Sequence, residues 1–260
     1  NPNFNPFEKN QGLTSDREKS NRQNWEKLYA STDDEFGIRK QHLETETTGS
    51  GQTQANMGTA GPHEKNFFQL HNRFILSQVK SGLMVIDQQK AHERILFERY
   101  LELLGSRQAL SQQELFPINL SLSPDDAELL LEILDDLNLL GFSIKPDPEK
   151  NFHFLIDGTP ADLRQGNTVE VIEGVVENYK NNLIQLDLDK RVNLARSLAR
   201  NMSIKHGRVL QQLEMKSVIE SLFSCQVPEL SIDGEPVVKM ITLEELAGKP
   251  ASGREQNEHN

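Results

Sequence analysis

The fold is decided by one segment, residues 67–105, which reads FFQLHNRFILSQVKSGLMVIDQQKAHERILFERYLELLG. Two apolar runs, Phe74 to Val79 and Leu83 to Ile86, are separated by the turn sequence KSG, and this pattern predicts a β-hairpin. Apolar residues then cover most of a helical circumference between Ile95 and Leu104, which predicts a buried helix. Gly105 is placed to end that helix.

The next segment, residues 115–157, predicts a compact unit of its own. LFPINLSL alternates like a strand, and Ser123 follows as a helix cap with Pro124 at the first helical position. The helix is expected to run to Gly141. FSIK and FHFLID then predict two short strands joined by the turn PDPEKN. The order β-α-β-β suggests a subdomain inserted into the first one.

Further helices are predicted at TVEVIEGVVENYK, residues 168–180, and along DKRVNLARSLARNMSIKHGRVL, residues 189–210. The second has apolar residues at a spacing of three to four, which is typical of an amphipathic helix. Basic residues lie on its other face and just beyond it: Arg191, Arg196, Arg200, Lys205 and Arg208. Such a band can contact DNA phosphates, but a salt-bridged, solvated helix face is an equally open interpretation.

The two ends of the chain have a different composition. Only about 20% of residues 1–65 are hydrophobic, too little apolar surface to offset chain entropy, so this arm is predicted to be a disordered linker. Within it, NRQNWEKLY carries Trp25 and is either a local hydrophobic cluster or a docking peptide for a partner. The last residues, 248–260, are predicted to form a disordered tail.

Composition excludes several classes of protein. The formal net charge of −11 does not suit tight wrapping of nucleic acid. The single cysteine, Cys225, excludes a disulfide framework and multi-cysteine zinc sites, and it fits a reducing compartment. The sequence has no apolar run long enough to span a bilayer, and no phosphate-binding glycine loop. Because residue 1 is Asn, we expect a piece of a longer protein.

The segment richest in side chains that could bind a metal or take part in catalysis is DQQKAHER, residues 87–94. It lies where a predicted strand passes into a helix. Asp87, His92 and Glu93 are residue types that bind Mn or Zn. A capped helix start is the alternative, in which Asp87 interacts favourably with the helix dipole. Cys225 has apolar neighbours and is interpreted as a small core residue.

Three segments together resemble the MutL mismatch-repair family. VIDQQKAHERILFERYLE resembles the family's DQHA-xx-E-xxxx-E motif, LARNMSIKHGRVL its ACR-type helix, and CQVPELSIDGEPVVKMITLEEL its closing CPHGRP segment. Their order and spacing agree with the family across residues 66–246. The polar arm before them resembles the linker that joins the family's ATPase domain to its C-terminal domain, in the form found in Bacteroidetes.

The resemblance implies an α+β fold of two subdomains. A dimerisation subdomain would comprise residues 66–114 and 186–247, with a regulatory subdomain of residues 115–185 inserted into it. The implied function is homodimerisation and scaffolding in DNA mismatch repair, in the cytoplasm. The implied partners are a second copy of the chain, the mismatch-recognition protein MutS, the sliding clamp and a helicase, with weak or indirect DNA contact.

Some family members carry a metal-dependent nicking site in these motifs, and this chain departs from it. Asp87, Gln88, Glu93 and Glu98 match the first motif, but Gln89 replaces its His and Lys90 its Ala. In the second motif Arg200 and Asn201 stand at the Cys and Arg positions. In the third, Ser231, Asp233 and Glu235 stand at the Cys, His and Arg positions. Soft ligands are lost and positive charges are added.

We therefore expect a degenerate remnant of the site, comprising Asp87, Gln89, Glu93, Ser231 and Asp233, without metal, cofactor or enzymatic activity. Two alternatives stay open: a metal-dependent nicking endonuclease that tolerates these substitutions, and an unrelated α+β adaptor domain. Nicking of supercoiled DNA with Mn²⁺ would distinguish the first alternative.

A separate motif, QQELFP, lies at the start of the predicted regulatory unit. Gln112, Leu115, Phe116 and Pro117 resemble the Gln-x-x-Leu-Phe peptide by which bacterial repair proteins dock on the sliding clamp. Leu115 and Phe116 would fill an apolar pocket while Gln112 makes orienting hydrogen bonds. The alternative is that Leu115 and Phe116 enter the core as the first residues of a strand.

Overall fold

The computed structural model describes residues 20–21, 67–106, 111–161, 163, 168–186 and 189–248. Apart from Ser20, Asn21 and Gly248, the predicted linker and the predicted tail lie outside the described residues, as does Trp25. The described residues form two antiparallel sheets and six helices, which confirms the predicted α+β class. None of these helices is long and apolar enough to cross a membrane.

The first sheet has four strands in the order β1-β2-β3-β7. They are β1 (Phe67–Leu70), β2 (Phe74–Val79), β3 (Gly82–Asp87) and β7 (Val238–Thr242). The predicted hairpin is confirmed as β2 and β3, which pair from Phe74 with Asp87 to Val79 with Gly82. Gly82 has φ +148°, and a Cβ there would lie 2.0 Å from the carbonyl oxygen of Ile241. A glycine at this turn therefore lets β7 pair closely with β3.

Helix α1 (Gln88–Ser106) follows β3 directly and joins two hydrophobic cores. Ala91 packs in a core under the first sheet, whereas Leu96, Tyr100 and Leu104 pack in a second core further along the helix. Most of its residues are at least partly buried by the chain's own elements, as the sequence predicted. The apolar residues around α1 thus find their partners within the chain.

The second sheet belongs to the predicted β-α-β-β unit. It consists of β4 (Ser111–Ser121), β5 (Ser143–Pro146) and β6 (His153–Pro160) in the order β4-β6-β5, with α2 (Pro124–Leu139) packed against it. The cap of α2 is as predicted, since Ser123 Oγ accepts a hydrogen bond from the backbone N–H of Asp126 at 3.3 Å. The sheet begins at Ser111, a few residues before the boundary expected at residue 115.

The remaining helices are α3 (Thr168–Leu186), α4 (Lys190–Met202), α5 (Gln212–Ser224) and the short α6 (Leu243–Leu246). Helices α3 and α4 pack on each other around a buried polar cluster, in which the Asn182 amide donates to Asn193 Oδ1 at 2.9 Å and to Ser197 Oγ at 3.2 Å. Helix α4 also packs along α1. This places the end of α4 beside the start of α1, where the candidate site lies.

Candidate functional site

A polar crevice of about 400 Å³ opens where α1 begins, α4 ends and the segment before β7 turns back. Its lining comes from four separate parts of the chain: Gln89, Lys90, Glu93, Asn178, Arg200, Asn201, Lys205, His206, Ser231 and Asp233. Four of the five predicted remnant residues are therefore brought together. The fifth, Asp87, is buried and is not part of this lining.

Asp87 serves as the N-terminal cap of α1. Its Oδ1 accepts hydrogen bonds from the backbone N–H groups of Gln89 at 3.1 Å and Lys90 at 3.2 Å. The same oxygen lies 3.1 Å from Nε2 of His206, and Arg73 lies 3.7 Å from the other oxygen. These contacts satisfy helix-terminal donors that would otherwise be unpaired.

Gln89, which the resemblance sets at the position of a histidine, connects two parts of the chain. Its amide nitrogen donates to Oε1 of Glu93 at 2.9 Å, and its amide oxygen accepts from the backbone N–H of His206 at 3.2 Å. Glu93 is buried and also lies 3.5 Å from the hydroxyl of Ser203. The amide thus links the start of α1 to the loop after α4.

Ser231, which the resemblance sets at the position of a cysteine, stabilises a tight turn. Its hydroxyl accepts from the backbone N–H groups of Asp233 at 3.2 Å and Glu235 at 3.1 Å. Its own backbone N–H donates to the carbonyl oxygen of Glu235 at 2.7 Å. Gly234 within the turn has φ +81°, a conformation that favours glycine. A buried serine therefore holds the turn that presents Asp233.

Two arginines of α4 converge on Asp233. The Arg200 guanidinium donates to Oδ1 at 2.6 Å and to Oδ2 at 2.9 Å, and Arg196 also donates to Oδ1. Arg196 in addition reaches the carbonyl oxygen of Ile232 at 3.1 Å. Burial lowers the pKa of Arg196 below its ordinary value, although Asp233 acts in the opposite direction. The carboxylate of Asp233 is thus paired with two positively charged guanidinium groups.

Two lysines add further positive charge at the crevice. Lys90 forms an ion pair with Glu235 at 2.6 Å, and Lys205 donates to the backbone carbonyl of Arg200. Burial lowers the pKa of Lys205, an effect that Glu93 partly offsets. Among the described residues, no group of three or more His, Cys, Asp or Glu side chains is placed to hold a metal ion.

The other residues that the sequence analysis singled out as motif matches or candidate ligands make contacts that stabilise the fold. The Gln88 amide donates to the carbonyl oxygen of Asn72 at 2.7 Å, and Glu98 accepts from the backbone N–H of Gln226 at 2.6 Å. His92 Nδ1 accepts from the backbone N–H of Ile204 at 3.1 Å. Cys225 is buried, in agreement with its interpretation as a core residue.

The five basic residues predicted to contact DNA all have partners within the chain. Arg191 lies 3.3 Å from Asp136, Arg208 lies 2.5 Å from Glu214, and Arg196, Arg200 and Lys205 have the contacts described above. Each charge is balanced by a neighbour or held against a carbonyl. This arrangement resembles a salt-bridged helix face more than an open basic patch.

The clamp-like motif lies on a bulge of β4. Pairing with β6 shifts between Gln113, opposite Gly158, and Ile118, opposite Ile156, so residues 114–117 project from the sheet. Leu115 is 93% exposed and Phe116 is 81% exposed. The alternative in which these two side chains enter the core is therefore wrong.

The bulge is held in place from β6. Thr159 donates to the Glu114 carboxylate at 3.1 Å. A Cβ at Gly158 would lie 2.7 Å from the Ser111 hydroxyl, so a glycine permits the close approach of the two strands. Gln112 and Pro117 are also exposed, which leaves the whole motif accessible.

Sequence reasoning missed one surface, which we call the outer face of the first sheet. The inner face carries Ile75, Met84 and Ile86, fully buried in the core that also contains α5. Cross-strand pairing places Leu76 beside Phe68 and Val85, and Leu83 beside Ile241, on the opposite side. That outer face is mainly apolar, and exposed Gln78 and Lys239 also lie on it, beside Leu83 and Val85. Its apolar residues are Phe68, Leu70, Phe74, Leu76, Leu83, Val85 and Ile241.

The outer face is accessible to solvent to differing degrees, with Phe68 63% and Leu70 44% exposed and the other five partly buried. A sheet that is covered on one side only should alternate apolar and polar residues. In the run FILSQV, the residues Phe74, Ile75 and Leu76 are instead apolar at consecutive positions. This pattern in the sequence indicates a sheet that is buried on both faces.

Comparison with known proteins identifies the family of this chain. Residues 67–210 match the family described as "MutL C terminal dimerisation domain". The "DNA mismatch repair protein MutL" of Chlorobium phaeobacteroides (strain BS1) is 38% identical over 187 residues, covering 71% of this chain and 30% of that protein. That of Chlorobaculum tepidum is 37% identical over 199 residues, covering 76% and 31%. The chain thus spans about 30% of the length of these relatives, and it belongs to the MutL family, whose C-terminal dimerisation domain it contains.

Proposed function

We propose that this domain joins two copies of a mismatch-repair MutL protein through the outer face of its first sheet. The observation that carries the proposal is the apolar character of that face, with Phe68 and Leu70 exposed beside partly buried Leu76 and Val85. Soluble proteins rarely leave a contiguous apolar patch of this kind uncovered. Two such faces can pack as a sandwich about 10 Å apart.

The energetic scale supports a stable dimer. Complete burial of one large apolar side chain contributes about 1.5–3 kcal/mol, and each copy offers seven on this face. The partly buried ones would contribute only part of that amount. Permanent homodimer interfaces are more hydrophobic than transient ones. The family assignment also disfavours the alternative of an unrelated α+β adaptor.

The biological role follows from dimerisation. In the proposed full-length protein, a linker joins this domain to an ATPase domain, and the dimer keeps two ATPase arms at high effective concentration so that they can close on DNA. Coupling to the mismatch-recognition protein MutS and to a helicase in the cytoplasm is part of the same proposal. Direct DNA contact by this domain is expected to be weak, since the basic residues of α4 are paired internally.

We further propose that the domain lacks the nicking activity of nuclease-bearing relatives and needs no cofactor. Asp233 is engaged by Arg196 and Arg200, and Lys90 is paired with Glu235 in the same crevice. A divalent cation placed there would be repelled by these charges. Gln89 and Ser231 supply only a neutral amide and a hydroxyl, which are weak ligands for transition metals.

A second partner, the sliding clamp, is proposed for the bulge of β4. The supporting observation is the exposure of Leu115 and Phe116 on a segment anchored through Glu114. An exposed dipeptide of large apolar residues on an extended segment is suited to insertion into an apolar pocket. We expect weak binding, with a Kd on the order of tens of micromolar to millimolar.

Analytical ultracentrifugation of the chain tests the main proposal. A dimer at micromolar concentration is expected, and added salt should not weaken it, because the proposed contact is apolar and salt screens the repulsion between two chains of net charge −11. A chain that sediments as a monomer under these conditions contradicts dimerisation through the outer face.

A further inference from the structure

Asn21 belongs to the N-terminal arm, yet its side chain contacts the folded domain. Its Nδ2 donates a hydrogen bond to the carbonyl oxygen of Cys225 at 3.0 Å, across 204 residues of chain. Asn21 is half-buried, whereas Ser20 beside it is exposed, and both are helical. The arm therefore has a defined point of contact with the domain.

The acceptor is well suited to such a contact. Cys225 caps the C-terminal end of α5, where backbone carbonyls lack partners within the helix. The residues that follow are fixed to α1, because the Glu98 carboxylate accepts from the backbone N–H groups of Gln226 at 2.6 Å and Val227 at 3.2 Å. Asn21 thus binds a carbonyl held by two helices.

Apolar residues follow Asn21 at helical spacing. Trp25, Leu28 and Tyr29 lie four, seven and eight residues after it, positions that share one face of a helix with Asn21. Near the acceptor, Phe223 and Val227 are partly buried and Leu230 is 41% exposed. A helix continued from Asn21 would therefore carry these apolar side chains on the face that makes the hydrogen bond, and apolar side chains lie close to Cys225 in sequence.

We propose that residues 21–29 dock back onto the domain of their own chain, at the C-terminal end of α5 beside α1. The Asn21 amide positions the segment through Cys225, and Trp25 and Leu28 cover the neighbouring apolar surface. Residues 30–66 then form a closed loop. The chain before Asn21 is then attached to the domain at the end of α5 and not at β1. Residues 30–66 therefore add nothing to the length of the linker between this domain and the preceding part of the protein. This goes beyond dimerisation and does not depend on it.

Trp25 is the only tryptophan and reports directly on docking. In the full chain its emission should be shifted to shorter wavelength and protected from acrylamide, relative to a peptide of residues 14–32. Loss of one hydrogen bond in Asn21→Ala should weaken docking about fivefold and raise quenching. The melting temperature should fall only slightly, because docking stabilises the folded state by no more than this small amount. Asn56→Ala is the matched control and should behave as the native chain. Quenching equal to that of the peptide, or unaffected by Asn21→Ala, would overturn the proposal.

Disulfide cross-linking tests which copy receives the segment. Asn21→Cys creates one partner for Cys225, the only native cysteine, and oxidation should yield a cross-link within one chain. The control Ser50→Cys lies nearer to β1 along the sequence, so an undocked arm would cross-link there at least as fast. Faster reaction of Asn21→Cys supports docking. Equal or slower reaction, or a cross-link between two chains, contradicts it.

Discussion

The guanidinium of Arg200 binds the carboxylate of Asp233 through both oxygens, at 2.6 and 2.9 Å, inside the polar crevice. Arg196 approaches the same carboxylate from the preceding turn of α4. Both contacts of Arg200 come from one guanidinium nitrogen, and hydrogen bonds between ionised groups are among the strongest in proteins. In the proposed interpretation, a guanidinium of the protein itself supplies the positive charge at a place where nuclease-bearing relatives would hold a metal ion.

The first prediction concerns metal binding. The native chain should show no stoichiometric binding of Zn²⁺ or Mn²⁺ by calorimetry and should not nick supercoiled DNA. The physical reason is the set of positive charges at the crevice, Lys90, Arg196 and Arg200, together with the weak ligands Gln89 and Ser231. Tight zinc binding by the native chain would show that this interpretation is wrong.

A gain of zinc binding is the complementary prediction. Gln89→His, Ser231→Cys and Asp233→His together restore the family's ligand types, but they leave Arg200 without its carboxylate partner. Adding Arg200→Cys removes that charge and supplies another thiolate. The fourfold variant should therefore bind Zn²⁺ more tightly than the threefold variant, as measured by competition with a chromophoric chelator. Equal affinities would mean that Arg200 does not oppose the metal.

Dimerisation should be abolished by a charge on the outer face. Leu76→Glu places a carboxylate between Phe68 and Val85, and burial of an unpaired charge is too costly to tolerate in an apolar interface. Sedimentation should change from dimer to monomer. Leu131→Glu on α2 is the control, since Leu131 is 51% exposed and lies outside the outer face. A dimer in Leu76→Glu as stable as in the control would exclude this face as the interface.

Clamp binding should require the bulge of β4. Gln112→Ala combined with Leu115→Ala removes the orienting amide and one apolar anchor, and cross-linking to a bacterial sliding clamp should be lost. Because Leu115 is 93% exposed, stability should change by no more than about 0.5 kcal/mol. Leu213→Ala, another exposed leucine, should leave binding intact. If the native chain shows no clamp binding even at high concentration, the motif has no such role.

Stability at alkaline pH should depend on Tyr179. Burial, followed by the nearby charges of Glu132 and Asp136, raises the pKa of Tyr179 to about 12, against about 10 in an unfolded chain. The folded state therefore favours the neutral phenol. That stability is present below pH 10 and is lost as the pH rises towards 12.

Urea unfolding at pH 9 and pH 11 measures this effect. The free energy of unfolding of the native chain should fall by about 1 kcal/mol more than that of Tyr179→Phe over this interval. Phenylalanine keeps the ring but has no proton to lose. Equal pH dependence of the two proteins would show that Tyr179 does not titrate with a raised pKa.

Local features of this chain were evident in its sequence. The hairpin of β2 and β3, the Ser123 cap and the β-α-β-β order each depend on residues a few positions apart. The spacing of the three motifs also sufficed to indicate the family. These signals are readable because hydrophobic periodicity and capping are properties of one contiguous segment.

The tertiary structure alone decided what those segments expose and what they pair with. Leu115 and Phe116 have the apolar character of core residues, and only a shift in pairing between β4 and β6 turns them outwards. Arg200 and Asp233 are 33 residues apart, and only the packing of α4 against the segment before β7 brings their charges together. The outer face arises in the same way, from four strands that include the distant β7. Periodicity determines that a strand has two faces, but the long-range contacts that cover one face and leave the other accessible exist only in the folded chain.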